Sequence, residues 1–317
     1  MVVAGAMMLD RTRLPEVLPS ERLLANGVAR PQVRAELRRI ADLRNALTVL
    51  SVWLMAAALV WFACRLGPVG FAIAFVLMVP VYVRFAILMH EAAHKLLFTN
   101  KRINDFVGTW LIAYPAWSAI GLYRRGHFAH HREEFGPDEP DIAFYGGYPC
   151  TKAALRRRLF RDAMGISGWK NLVPLVRGVT KPVSRKIACS ILATQAVLWA
   201  VSWVVTGRWY VWPLLWFLPW MTGWRVVNRL RSIAEHGGLG ASADRRQTTH
   251  VVKQSMLARF WIVPYNTGWH LAHHVDMGVP WRNLPAFHAE LERAGYVTAD
   301  LTYPSYRALW SALASTA

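Results

Sequence analysis

Residues 68–94 read PVGFAIAFVLMVPVYVRFAILMHEAAH. Positions 68–89 carry a single charge, Arg84, and a helix needs about 20 apolar residues to cross a bilayer. The stretch therefore reads as a membrane span. No breaker lies beyond Pro80, so the helix is expected to continue through His90 and His94 to about Asn100. Residues four apart share a helix face. At 1.5 Å per residue, His94 lies roughly 8 Å beyond Met89, which places a histidine pair just above the headgroup boundary.

Outward from this stretch, three more runs are long and apolar enough to cross: 46–64, 187–205 and 209–227. Short turns around Arg65-Leu66-Gly67 and Thr206-Gly207-Arg208 join them in pairs. Two tight hairpins put both chain ends on one side. Residues 1–44 hold eight arginines and residues 151–186 hold ten Lys/Arg against one acid, Asp162, while each turn holds one arginine. The positive-inside rule makes both ends and the middle segment cytosolic. Arg84, near the cytosolic end of its span, is expected to snorkel.

The run 107–122 is short, flanked by Asp105 and Arg124 and interrupted by Pro115. Were it to cross, the histidines on either side of it would be separated by the bilayer, so it is read as a re-entrant or interfacial hairpin. Residues 151–186 read as a basic amphipathic stretch on the membrane surface. The tryptophans Trp209, Trp212, Trp216, Trp220 and Trp224 recur every three or four residues and are expected to pack and to anchor at the interface.

Composition agrees. The chain is 54% hydrophobic, holds 16 tryptophans and carries a formal charge of +18. Such charge on a soluble domain would suggest nucleic acid; on a membrane protein it suggests a face against anionic lipid. The apolar runs decide for lipid, and no nucleic-acid partner is expected. Three scattered cysteines, Cys64, Cys150 and Cys189, suggest neither a disulfide framework nor a zinc knuckle, and an iron–sulfur cluster normally needs four. The N-terminus lacks a basic n-region, so no signal peptide is expected.

Eight of eleven histidines fall in three clusters: His90/His94, His127/His130/His131 and His270/His273/His274. Each presents two or three imidazoles to one point. Gly136 is expected to close the second cluster's helix. Asn266 or Thr267 is expected to cap the third, which should stop by Gly278. A ninth, His236, lies nine residues past the fourth run, roughly 13 Å of continued helix, before Gly237-Gly238. His250 and His288 lack clustered partners and are left out of the ligand set. Nine imidazoles exceed what one metal can hold, which argues for two metals with four or five nitrogens each. Imidazole suits iron, zinc and copper alike.

The ordered pattern His-x-x-x-His, His-x-x-His-His, His-x-x-His-His resembles the membrane fatty acid desaturase/hydroxylase superfamily. Glu235-His236 is similar to an additional ligand of that group, and the segment 280–288 resembles the stretch just beyond the group's last box. The resemblance covers roughly residues 45–290. It implies an all-α integral-membrane fold: four transmembrane helices in two hairpins, with a cytosolic helical cap holding a histidine-ligated di-metal site. One domain would span 1–317, with segments 1–44, 45–89, 90–186, 187–227 and 228–317. It also implies two non-haem irons, molecular oxygen as co-substrate and a lipid or acyl substrate drawn from the bilayer. No haem-binding His-Pro-Gly-Gly or dinucleotide-binding glycine motif is present, so electrons are expected from a separate ferredoxin or haem protein and its reductase. Glu91, Glu235, Asp138, Glu139, Asp141 and Asn266 are candidates to orient imidazoles.

Three other readings compete. A lipid or carotenoid hydroxylase or ketolase would use the same scaffold. His90-Glu91-Ala92-Ala93-His94 also matches the zinc metalloprotease pattern, with Glu91 as base, but that reading leaves the seven other candidate histidines unexplained. A metal transporter would place its sites within the bilayer, whereas these clusters lie at or beyond the span ends.

Overall fold

Gly67 reverses the chain. Its φ of 62° and ψ of −143° suit a residue without a Cβ, and they interrupt the apolar helix Asp42–Ala93. Pro68 then heads the second limb, where a missing N–H costs nothing. The rings of Trp53 and Phe85 meet edge-on at 5.3 Å, although a straight helix would hold them about 48 Å apart. The two limbs therefore fold back on each other.

The computed structural model describes residues 9–11, 14, 17, 19–137 and 139–315. The N-terminal apolar stretch and Asp138 lie outside these. By contacts the chain divides into two units. One comprises Ala41–Tyr123 and Arg157–Asn228; the other comprises the described residues through Ile40, Arg124–Arg156 and those from Arg229 onward.

The first unit holds the long apolar helices. Among the described residues, Asp42–Ala93 and Pro182–Thr206 are long and apolar enough to cross a membrane; Gly207, at φ 68°, ends the second. Trp216 ties the unit together. It stacks on Trp53 at 5.8 Å, accepts the Tyr82 hydroxyl on its carbonyl at 2.8 Å and donates Nε1 to the Pro115 carbonyl at 3.0 Å. Trp220 stacks on Trp117 at 4.7 Å. These rings pack, as their spacing suggests.

The run 209–227, expected as one span, is not one helix. It contains a π-helix, Pro213–Phe217, then Leu218–Met221, and breaks at Thr222 (φ −120°, ψ −87°) before Gly223–His236 begins. Pro213 and Pro219 each remove an N–H from the helical ladder. The run 107–122 is also discontinuous: a π-helix, Val107–Ala113, a turn with Trp117 at φ 62°, then Ile120–Arg132. Gln195 donates to the Tyr114 and Pro115 carbonyls at 2.8 and 3.0 Å. Non-helical backbone in an apolar setting needs such partners.

The helix bearing His90 stops earlier than its sequence suggests. It ends at Ala93, His94 is its C-cap and Lys95 turns left-handed at φ 61°. Asn104 supplies the reason: its side chain accepts from Leu97 and Phe98 N–H at 3.1 and 3.3 Å and donates to the Ala92 carbonyl at 2.9 Å. Arg84 bends back to donate to the Pro80 carbonyl at 2.8 Å.

The second unit is built from short helices, including His270–Val275, Leu284–Arg293 and Tyr306–Leu313. A two-stranded parallel pair joins Val251–Val252 to Thr302–Tyr303. Leu271, Phe287, Leu291, Leu309 and Leu313 are buried at its centre. The N-terminal helix Pro31–Leu37 is tied in by charge: Arg34 and Arg38 donate to Asp276 at 2.8 and 2.6 Å, directly beyond Val275.

Candidate metal centre

Three helices bring together seven histidines, all of them in the second unit. The helix Ile120–Arg132 carries His127, His130 and His131. The helix Gly223–His236 ends on His236, where Gly237 and the left-handed Gly238 (φ 74°) stop it. The six-residue helix His270–Val275 carries His270, His273 and His274. All seven are buried. Trp269, not Asn266 or Thr267, precedes this last helix as its N-cap, and no side chain caps it. Asn266 instead adopts a left-handed conformation (φ 64°) in the preceding turn.

The hydrogen bonds fix which nitrogen faces inward. His236 Nδ1 donates to the Thr248 carbonyl at 2.8 Å, and His274 Nδ1 donates to the Glu134 carboxylate. In a neutral imidazole the other nitrogen then carries a lone pair. The Nε2 atoms of His236 and His274 lie 3.1 and 3.0 Å from the same atom, His270 Nε2. His270 can give a proton to only one of them. The other contact opposes two lone pairs, unless a cation lies between them. A second set repeats the pattern: His131 Nε2 is 3.1 Å from His127 Nε2 and 3.0 Å from His273 Nε2.

Nitrogens this close, aimed at one another and short of protons, suit a shared metal, for which imidazole is a fitting ligand. Burial pushes the pKa values of His236, His270 and His274 well below the usual imidazole range, which keeps them neutral and able to bind metal.

Carboxylates surround the cluster. His130 Nδ1 lies 3.0 Å from both Glu139 oxygens. Burial opposes a charge on His130, but Glu139 outweighs it and raises the imidazole; the same pairing holds Glu139 below its ordinary value against its own burial. Asp141 lies beside them, raised by burial. Glu134 is raised by burial and is steadied by Arg245 at 2.5 Å, which also donates to the His131 carbonyl at 2.9 Å. Glu235 pairs with Arg231 at 2.8 Å and lies 3.6 Å from His270 Nδ1.

In the first unit, His90 and His94 sit side by side at their helix end, ring centroids 4.9 Å apart. The Tyr123 hydroxyl is 3.3 Å from His90 Nδ1, and Glu91 is buried beside them. His250 is engaged elsewhere: Nε2 donates to the Gly237 carbonyl at 2.8 Å and Nδ1 accepts from Arg11 at 3.0 Å. Its burial and the nearby Arg11 lower it to about 3. His288 meets Trp269 edge-on at 6.3 Å and faces Glu292.

Sequence reasoning did not find Glu134, Thr248, Arg245 or Tyr145, whose hydroxyl is 3.4 Å from His130 Nδ1. Glu134 lies past the end of its helix at Arg132, so periodicity cannot separate it from its neighbour Glu133.

The family model described as fatty acid desaturase matches residues 66–307 of the chain. Dihydrorhizobitoxine desaturase of Bradyrhizobium elkanii is 24% identical, over 70% of this chain and 68% of its own length.

Proposed function

Because the chain belongs to the fatty acid desaturase family, a family of oxidoreductases, we propose that it is an oxygen-dependent membrane desaturase. It would act on an acyl chain carried by a lipid, coenzyme A or another carrier. The observation that carries this reading is the convergence of His236, His270 and His274 through nitrogens that cannot all be protonated.

The residues fit a two-iron centre. His90, His94, His127, His130, His131, His236, His270, His273 and His274 would hold it, and their imidazoles are a fitting donor set for iron. Two irons held there would supply oxygen activation and removal of hydrogens from unactivated methylenes. In a complete turnover, one oxygen molecule, two external electrons, two protons and two substrate hydrogens leave as two waters, and neighbouring carbons become doubly bonded. Glu134, Glu139 and Thr248 hold the Nδ1 side of their imidazoles, so each Nε2 stays aimed inward. Such outer partners set ligand orientation and basicity. Burial of the cluster keeps bulk water from the oxidising site.

The protein would be multi-pass, with both termini cytosolic. The helices Lys152–Ala163 and Ile166–Arg177 would lie on the membrane surface, since Phe160, Met164 and Trp169 are exposed among arginines. Electrons would come from a separate carrier. A desaturated product is favoured over an alcohol or ketone because the Bradyrhizobium relative is named a desaturase.

Two measurements on one preparation test this. Protein purified in mild detergent should hold close to two irons per chain. Membranes of a host expressing it should contain new alkenes two mass units below their precursors. One tightly bound zinc with no iron would sink the reading and favour the protease. Products gaining oxygen would transfer it to hydroxylase or ketolase chemistry.

A further inference from the structure

Within the unit of long helices lies an apolar cleft of about 540 Å³. Trp53, Trp216 and Val201 are among its lining residues. Arg65 and Arg208, one from each of two connecting turns, also line it. From Trp53 to Arg65 is 12 residues of helix, roughly 18 Å at 1.5 Å each. One leaflet of a bilayer is about 15 Å of hydrocarbon, half the roughly 30 Å core. The cleft is thus about as long as one leaflet is deep, apolar along its length and cationic at one end.

The cationic end is built. Arg208 donates to the Cys64 carbonyl at 2.9 Å, which fixes its guanidinium across the two turns. Arg65 lies over the Trp61 ring at 5.7 Å.

We infer that this cleft is a binding site for one anionic glycerophospholipid, distinct from the substrate. The phosphate pairs with Arg65 and Arg208, and an acyl chain lies along Trp53 and Trp216. Arginine suits phosphate because its planar fork of donors meets two oxygens at once. The inference rests on the membrane-spanning reading of these helices and not on the oxidative chemistry.

Mass spectrometry of the full-length chain, purified in mild detergent, tests it without any turnover measurement, so its failure is distinguishable from failure of the desaturase reading. The wild type should retain about one anionic phospholipid per chain. After delipidation it should recover that lipid from phosphatidylglycerol nanodiscs in preference to phosphatidylcholine ones. R65Q/R208Q should weaken retention about tenfold or more, the size of one lost charge-assisted hydrogen bond. R208Q alone should weaken it less and covers the case in which the double variant does not fold. Undiminished lipid in both variants, or equal recovery from the two nanodiscs, would overturn the site. So would V201W, which adds bulk at a lining position, if the phospholipid stayed bound undiminished.

Discussion

Glu134 and His274 share a buried hydrogen bond, carboxylate to Nδ1, although 140 residues separate them in the chain. The bond fixes the imidazole so that its Nε2 faces His270. Glu134→Gln should therefore lower turnover or iron affinity by about 10–100-fold, the usual cost of losing an outer partner, without loss of folding. Arg245→Gln, one step further out, should cost less. Iron content and turnover measured together check both; full iron and full turnover in the Glu134 variant would remove its orienting role.

His236 stands outside the three boxes, yet its Nε2 meets His270 Nε2 at 3.1 Å. His236→Ala should drive iron towards one per chain and eliminate product. If the residue only orients others, iron should be partly retained and activity should fall about 10–100-fold. A variant with full iron and full product would exclude both roles.

His250 should behave differently. Its two nitrogens are committed to Gly237 and Arg11. His250→Ala should keep two irons and most turnover while losing stability, about 1–3 kcal/mol for the buried partners left unsatisfied. A thermal shift alongside an iron assay separates the two effects. Iron loss equal to that of the box variants would place His250 among the ligands.

Asp276 offers a pH test. Burial alone would raise its carboxyl, but hydrogen bonds from Arg38 and Arg34 outweigh it and hold the group below its ordinary value. A carboxylate with a depressed folded pKa stabilises fully above its unfolded value, about 3.9, and the contribution is lost as pH falls through the lower, folded value. Wild-type stability should thus drop as the solution is acidified below about pH 4. Asp276→Asn should lose about 1–3 kcal/mol at neutral pH and show a shallower acid dependence. Equal acid slopes for both proteins would show that the pair contributes nothing.

Topology has a direct reporter. A fusion after residue 140 should read cytosolic, as should fusions at both termini. A reading from the opposite side at 140 would mean that the discontinuous run 107–122 crosses the membrane, and the three boxes could then not share one site.

The sequence by itself determined the apolar helices, the reversal near Gly67 and the membership of the histidine clusters. Each is local: a run of apolar residues, a glycine with a proline next to it, or imidazoles three and four apart are legible from periodicity and backbone chemistry. The halt after His236 was legible too, because Gly237 and Gly238 end the helix. The tertiary structure decided the rest. It broke 209–227 at Thr222, where propensity saw only an apolar run, because prolines leave ladder positions that packing must resolve. It ended the box-one helix at Ala93, because Asn104 competes for the backbone groups that would have continued it. It selected Glu134 over Glu133, since the choice depends on Arg245 and His274, more than 100 residues away. It also set the tautomers: which nitrogen of His236 faces inward depends on the Thr248 carbonyl, a partner supplied by the fold and carried by no motif.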